Sequence, residues 1–201
     1  MEPFSAHSLE AALRDLSEEL KWRHVRAHIY VIGGAAMALG FDNRRHTMDV
    51  DALITRGHGA VVEAVHRVGR RRGWPDTWLN EEAASAIPRG KDGRARTVYG
   101  DRNLVVTAAS AEHLLAMKVR AARLKDREDI AFLARHLEFS SAREVFDLHD
   151  TVFPYDPPRR RSFEDACRML RDLWPHDRSM DRDDRYGYGP RHATHGAGPS
   201  R

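Results

Sequence analysis

The sequence predicts an α/β (α+β) domain: a small mixed β-sheet with flanking helices, followed by a helical C-terminal part. Three observations predict it. Short β-branched or aromatic runs alternate with helical periodicity through the first half, in the order βαβα-β-β. From Ser110 to Trp174 the period is helical throughout. Hydrophobic residues make up 41% of the 201, enough for a core of that size.

Each element has its own warrant. Leu9, Leu13, Leu16 and Leu20 repeat at helical spacing behind Ser8, a candidate cap. His28–Ile32 reads as a buried strand stopped by Gly33 and Gly34, and Ala35–Phe41 as a short helix. Asp49–Ile54 is the next strand. Val61, Val65 and Val68 place a helix over 60–72, ended by Gly73. The stretch 74–84 reads as a loop and a short helix begun by Asp76. RTVYG and NLVVTA are two strands joined by the turn Gly100–Asn103.

Ser110 caps a helix running through Arg123, and Asp126 caps another with Ile130, Leu133 and Leu137 as its stripe. Helices near 142–150 and 163–174 follow, separated by PYDPP. From Pro175 the chain turns polar, glycine-rich and aperiodic, the composition of a disordered tail. The expected organisation is a core over 1–137, a helical extension over 138–174 and a tail over 175–201. No internal repeat is present.

Composition narrows the function. Charged residues make up 31% and the net charge is +3, with the positive side mostly arginine. That excess fits a polyanionic partner such as nucleotide phosphate or RNA, and an arginine-rich codon usage explains it equally well. The single cysteine, Cys167, allows neither an internal disulfide nor a thiolate metal cluster. The N-terminus lacks a signal-peptide pattern, and the longest apolar run, Ile29–Leu39, is shorter than the ~18 residues of a membrane span. A cytoplasmic protein without membrane contact is expected. The twelve histidines form no zinc-ligand spacing, and no G-x-S-x-G marks a serine nucleophile. RVGRRRG (67–73) and PPRRRS (157–162) suit either an RNA backbone or a solvated helix end.

The chemistry concentrates in VIGGAAMALGFDNRRHTMDVDALI, 31–54. A strand that ends in Gly-Gly and enters a helix exposes backbone N–H groups with the helix dipole behind them, a ready site for phosphate. Gly-Gly also serves ordinary tight turns. Asp49 and Asp51 are two residues apart, so in a strand both carboxylates project to one side. Like charges so placed favour a shared cation, and hard oxygen ligands suit Mg²⁺, which in turn bridges carboxylates and substrate phosphates.

With Gly33, Gly34 and the R-x-T-x-D-x-D run at Arg45, Thr47, Asp49 and Asp51, the segment resembles the polymerase-β-like minimal nucleotidyltransferase superfamily. KVRAARLKDREDI downstream resembles the AbiEii-type nucleotidyltransferase toxins. Lys118, Ala121 and Lys125 fill their K-x-x-A-x-x-x-R motif, with lysine in place of the arginine, and Asp126 and Asp129 fill their D-x-x-D motif. The resemblance spans about 29–137.

It implies a Mg²⁺-dependent enzyme (Mn²⁺ as a substitute) that moves a nucleoside monophosphate from an NTP to an acceptor hydroxyl. Asp49 and Asp51 would hold the metal, and Gly33, Gly34, Arg45, Thr47, Lys118 and Lys125 the nucleotide, with Asp129 in the catalytic set. The acceptor it implies is RNA, with the 3′ end of tRNA foremost, and a cognate antitoxin would be the partner. A small-molecule acceptor such as an aminoglycoside, a protein hydroxyl, or a catalytically dead nucleotide- or antitoxin-binding module are the alternatives.

The residues permit plainer readings too. Lys118 and Lys125 lie seven apart, on one helix face over Ala121 and Ala122, where two cations could hold a triphosphate or merely be solvated. Asp126 suits an N-cap as well as catalysis, and Asp129 could complement the helix dipole. The superfamily's third carboxylate has no counterpart in NLVVTA. Glu81, Glu82, Asp101, Asp126 and Asp129 are the candidates.

Overall fold

The computed structural model describes residues 2–181 and 183–188. The order is β1 (Phe4–Ser5), α1 (Ala6–Trp22), β2 (Ala27–Val31), α2 (Gly33–Gly40), β3 (His46–Thr47), β4 (Val50–Arg56), α3 (His58–Arg72), β5 (Leu79–Asn80), β6 (Arg96–Gly100), β7 (Leu104–Ala108), α4 (Ala111–Ala121), α5 (Arg127–His136), α6 (Ala142–Val152) and α7 (Arg160–Leu173). It is the α+β fold with a helical C-terminal part that the sequence predicts.

The main sheet runs β5-β4-β2-β7-β6, and β1 pairs with β3 beside it. β2 is antiparallel to β4 and parallel to β7, so the sheet is mixed. One face is apolar: Ala27, Ile29 and Val31 align with Val50, Ala52 and Ile54 and with Leu104, Val106 and Ala108, all buried. α1 and α3 cover that face with Leu9, Leu13, Leu16, Val61, Val65 and Val68. The period of two sends Asp51, Leu53, His28, Tyr30, Val105 and Thr107 to the other face, which is only partly covered.

The boundaries differ from expectation where tertiary contacts override local signals. Ser5, not Ser8, caps α1, its hydroxyl accepting from Ser8 N at 3.2 Å. No helix starts at Asp76. Trp78, buried between Phe4 and Trp74, passes its carbonyl to Val50 N at 2.8 Å, and the chain continues as edge strand β5. Only a 3₁₀ turn at Ala84–Ala86 remains of the predicted helix. α4 stops two residues before Arg123, because Ala122 adopts a left-handed conformation, φ +43°.

α4 packs on α5, α6 and α7 to build the helical part. Ser141 and Glu144 form a capping box at the start of α6. A disordered tail from Pro175 is corrected for the described residues up to Tyr188. Asp177 accepts from Ala142 N at 2.7 Å, and Arg185 pairs with Asp147 and Asp150 on α6 and with Asp183. Tyr186 inserts among Phe146, Phe163 and Tyr188. Two tyrosines and a well-partnered arginine supply the burial that an aperiodic sequence conceals. Residues 189–201 of that expectation lie outside the described residues. Among the described residues no helix is long and apolar enough to cross a membrane.

Candidate active site

Gly33 and Gly34 open α2 directly from β2. Ile32, at the cap position, offers no side-chain acceptor, so the first N–H groups of the helix lack a side-chain partner. Ile32 N donates to Asp51 O at 2.9 Å, which locks the β2 end to the start of β4. Glycine is required at both positions. Gly33 has φ +62°, and a β-carbon there would lie 3.2 Å from Asp51 Oδ2. A β-carbon on Gly34 would lie 2.6 Å from Thr47 Oγ1. The glycine pair therefore brings the helix N-terminus against the carboxylate and the threonine that the sequence singled out.

Asp51 is the second residue of β4 and half-buried; Asp49 lies in the exposed bend just before the strand. The expected strand from Asp49 is thus one residue too long, because β4 begins at Val50. Thr47 holds the bend, its hydroxyl donating to Asp49 O at 2.9 Å. Burial first, then repulsion from Asp49, raises the Asp51 pKa; Lys125 and Arg123 oppose the rise and Glu82 adds to it. These four side chains are therefore the charges that act on Asp51. A divalent cation would relieve the repulsion. Among the described residues no preformed group of three or more His, Cys, Asp or Glu exists. Two carboxylates that leave further positions to phosphate oxygens and water would suit the coordination habit of Mg²⁺.

The helical charges separate into two sets. Lys118 is buried, and its ammonium lies 2.8 Å from both Asp126 Oδ1 and Asp129 Oδ2. Arg45 reaches Asp129 Oδ1 at 3.1 Å and also contacts Glu128 and Asp42. Lys118, Arg45, Asp126 and Asp129 make a charge-balanced network that ties α4 and α5 to the loop carrying Thr47 and Asp49. The reading of Lys118 and Lys125 on one helix face is corrected: the break at Ala122 turns Lys125 onto the 3₁₀ turn Leu124–Asp126. Asp126 is not a side-chain cap either, since its carboxylate is spent on Lys118. Lys125 and Arg123 are exposed and face Asp51 electrostatically. Helical periodicity runs through Arg123 in the sequence, and only the break at Ala122 sets it apart from α4.

The acid candidates separate as well. Glu81 accepts from Ile54 N at 2.7 Å and pairs with His58. Asp101 takes hydrogen bonds from Ser17, Tyr99, Asn103 and Leu104, far along the sheet. Glu82 is exposed and follows β5, whose Asn80 stands opposite Asp51.

A glycine turn thus feeds a helix N-terminus that lies against two carboxylates, one on β4 and one in the bend before it. The chain belongs to the family described as nucleotidyltransferase of unknown function (DUF6036), whose model matches residues 7–160. Among solved structures it is similar to an antigenic nucleotidyltransferase-like protein from Paracoccidioides brasiliensis, at 14% identity over 90% of this chain and 93% of that one, with a TM-score of 0.31. No curated protein matches the chain.

Proposed function

We propose that the protein transfers a nucleoside monophosphate from an NTP to an acceptor hydroxyl in a Mg²⁺-dependent reaction. The observation that carries it is the close approach of the Asp51 carboxylate to Gly33, where a β-carbon would lie 3.2 Å from Oδ2, with the Asp51 pKa held up by burial and by Asp49. Asp49 and Asp51 would hold the cation, which, when bound, neutralises charge on the phosphates. The N–H groups at the start of α2 receive phosphate oxygens, and Lys125 and Arg123 offset their charge.

The acceptor oxygen forms a bond to the α-phosphorus, the α–β phosphoanhydride bond breaks, and pyrophosphate leaves. Glu82, an exposed acid just after β5 whose charge acts on Asp51, takes the acceptor proton. Lys118, Asp126, Asp129 and Arg45 act as positioning residues, fixing the loop that carries Asp49; Thr47 does the same through the Asp49 carbonyl. The resemblance to AbiEii-type toxins supports RNA, including the 3′ end of tRNA, as acceptor and an antitoxin as partner. The rival is a binding-only module, favoured by the absence of a preformed three-acid cluster among the described residues.

Incubation with each α-³²P-labelled NTP, Mg²⁺ and total RNA tests the proposal. Label should enter one acceptor with one preferred NTP, and Asp51→Ala should abolish it. Mg²⁺-NTP binding without any transfer to RNA, protein or small-molecule acceptors would leave the binding module.

A further inference from the structure

The end of the sheet away from Gly33 carries an open cavity of about 450 Å³, lined among others by Arg26, His28, Thr55, Arg56, Arg102 and Val105. Its three arginines come from three segments: the entry to β2, the end of β4 and the β6–β7 turn. Elsewhere this chain pairs its arginines readily, as Arg67 and Arg71 do with Glu19 and Arg72 with Asp15. Arg26, Arg56 and Arg102 are exposed, and no ion pair or hydrogen bond engages their side chains among the described residues.

The one acid in the lining, Asp101, has its oxygens committed to Ser17, Tyr99 and the Asn103 and Leu104 amides. The floor carries no acid: the His28 ring lies within hydrogen-bond distance of the Thr55 and Thr107 hydroxyls, at 3.1 and 3.2 Å, beside exposed Val105. Three unpaired guanidinium forks around a concave floor without acids suit the oxygens of successive phosphates.

The cavity lies on the same sheet as the aspartates. Thr55 follows Asp51 by four residues on β4, about 13 Å at a strand's rise. That is beyond the reach of a triphosphate held at Gly33, and it lies along the sheet face that Asp51 shares. We propose that this groove holds the phosphodiester backbone of a single-stranded nucleic acid whose terminal hydroxyl reaches Asp51. The proposal rests on the nucleotidyl-transfer reading and assigns its acceptor class and acceptor track. Three cations around a single cavity suit one strand; a duplex would need a broader basic face.

The test uses the full chain with 5′-fluorescein RNA and DNA 12-mers of one sequence, read by anisotropy across a KCl series. The wild type should bind, with affinity falling as salt rises. The triple variant Arg26→Ala, Arg56→Ala, Arg102→Ala should lose at least ~10-fold in affinity, and its log–log salt slope should flatten by about 2, roughly 0.7 for each phosphate contact removed. Its melting temperature should match the wild type, and the exposed control Arg135→Ala should bind normally. In transfer assays the triple variant should raise the acceptor KM with kcat retained.

Tighter RNA than DNA binding would identify RNA as the source, and equal binding a backbone-only track; both support the groove. An unchanged affinity and salt slope in the triple variant, or no binding of either oligonucleotide, overturns it. Asp51→Asn should bind the strand normally. Groove-dependent binding without nucleotide transfer would sink the transfer reading and leave the groove standing. Transfer to a small-molecule hydroxyl that is indifferent to the three arginines would do the reverse.

Discussion

A β-carbon on Gly33 would sit 3.2 Å from Oδ2 of Asp51, at a backbone φ of +62° that already disfavours any side chain. Gly33→Ala therefore incurs about 1–2 kcal/mol of left-handed strain and displaces the carboxylate. Transfer should fall at least ~10-fold with only a few degrees lost in melting temperature. Gly34→Ala meets Thr47 Oγ1 at 2.6 Å and should impair transfer through the bend that Thr47 holds. Adding Thr47→Ala should recover part of the stability and none of the activity. Wild-type rates in both single variants would sever the glycine pair from the chemistry.

Asp51 should reveal itself through pH and metal. Its folded pKa is raised by burial and by Asp49, so its favourable contribution is present below the unfolded value near 3.9 and lost as pH rises through the folded one. Without Mg²⁺ at neutral pH, Asp51→Asn should melt no lower than wild type, and higher if repulsion dominates. That advantage should vanish below about pH 4. Adding Mg²⁺ should stabilise the wild type and not the variant. Mg²⁺ stabilisation of equal size in both would remove Asp51 from the metal site.

Lys118 and the pair Arg123–Lys125 should separate stability from activity. Lys118→Ala leaves the buried Asp126 carboxylate without its cation and Asp129 with Arg45 alone, and should cost about 3–5 kcal/mol, a fall on the order of 10 °C. Arg123→Ala and Lys125→Ala remove exposed cations and should leave melting unchanged while weakening NTP binding roughly 10-fold or more. A stable Lys118→Ala with lost NTP affinity would restore Lys118 as a direct triphosphate ligand.

Truncation after Trp174 removes Asp177, Arg185, Tyr186 and Tyr188 from the helical part. Melting should drop by several degrees, and Tyr186→Ala alone should account for about 2–3 kcal/mol, because its ring packs on Phe146 and Phe163. Truncation after Tyr188 should have little effect. Equal melting of the two truncations would show that these contacts contribute nothing.

The legible parts of this protein were those written in local periodicity. The leucines of α1, the valines of α3 and the alternation of β2, β4 and β7 place their elements within a few residues, since one face of each is buried against the same core. β5 was illegible because two residues carry no period; Trp78, packed far away on Phe4, decides it. The ordering of 175–188 was hidden for the same reason, its partners lying some twenty to forty residues upstream on α6 and α7, as Asp147 does for Arg185 and Phe163 for Tyr186.

For the site, the sequence by itself determined which residues carry charge and where the glycine pair stands; the left-handed Gly33 and the β-carbon clashes are what require glycine there. Gly33, Gly34, Thr47, Asp49 and Asp51 meet because a strand, a turn and an antiparallel neighbour leave them one place to go. Tertiary structure alone decided how the remaining charges are spent. Lys118 and Lys125 look equivalent seven residues apart, yet a single left-handed residue, Ala122, sends one into a buried network and leaves the other facing Asp51. Ion pairing depends on distances through space, and a helix that ends two residues early changes all of them at once.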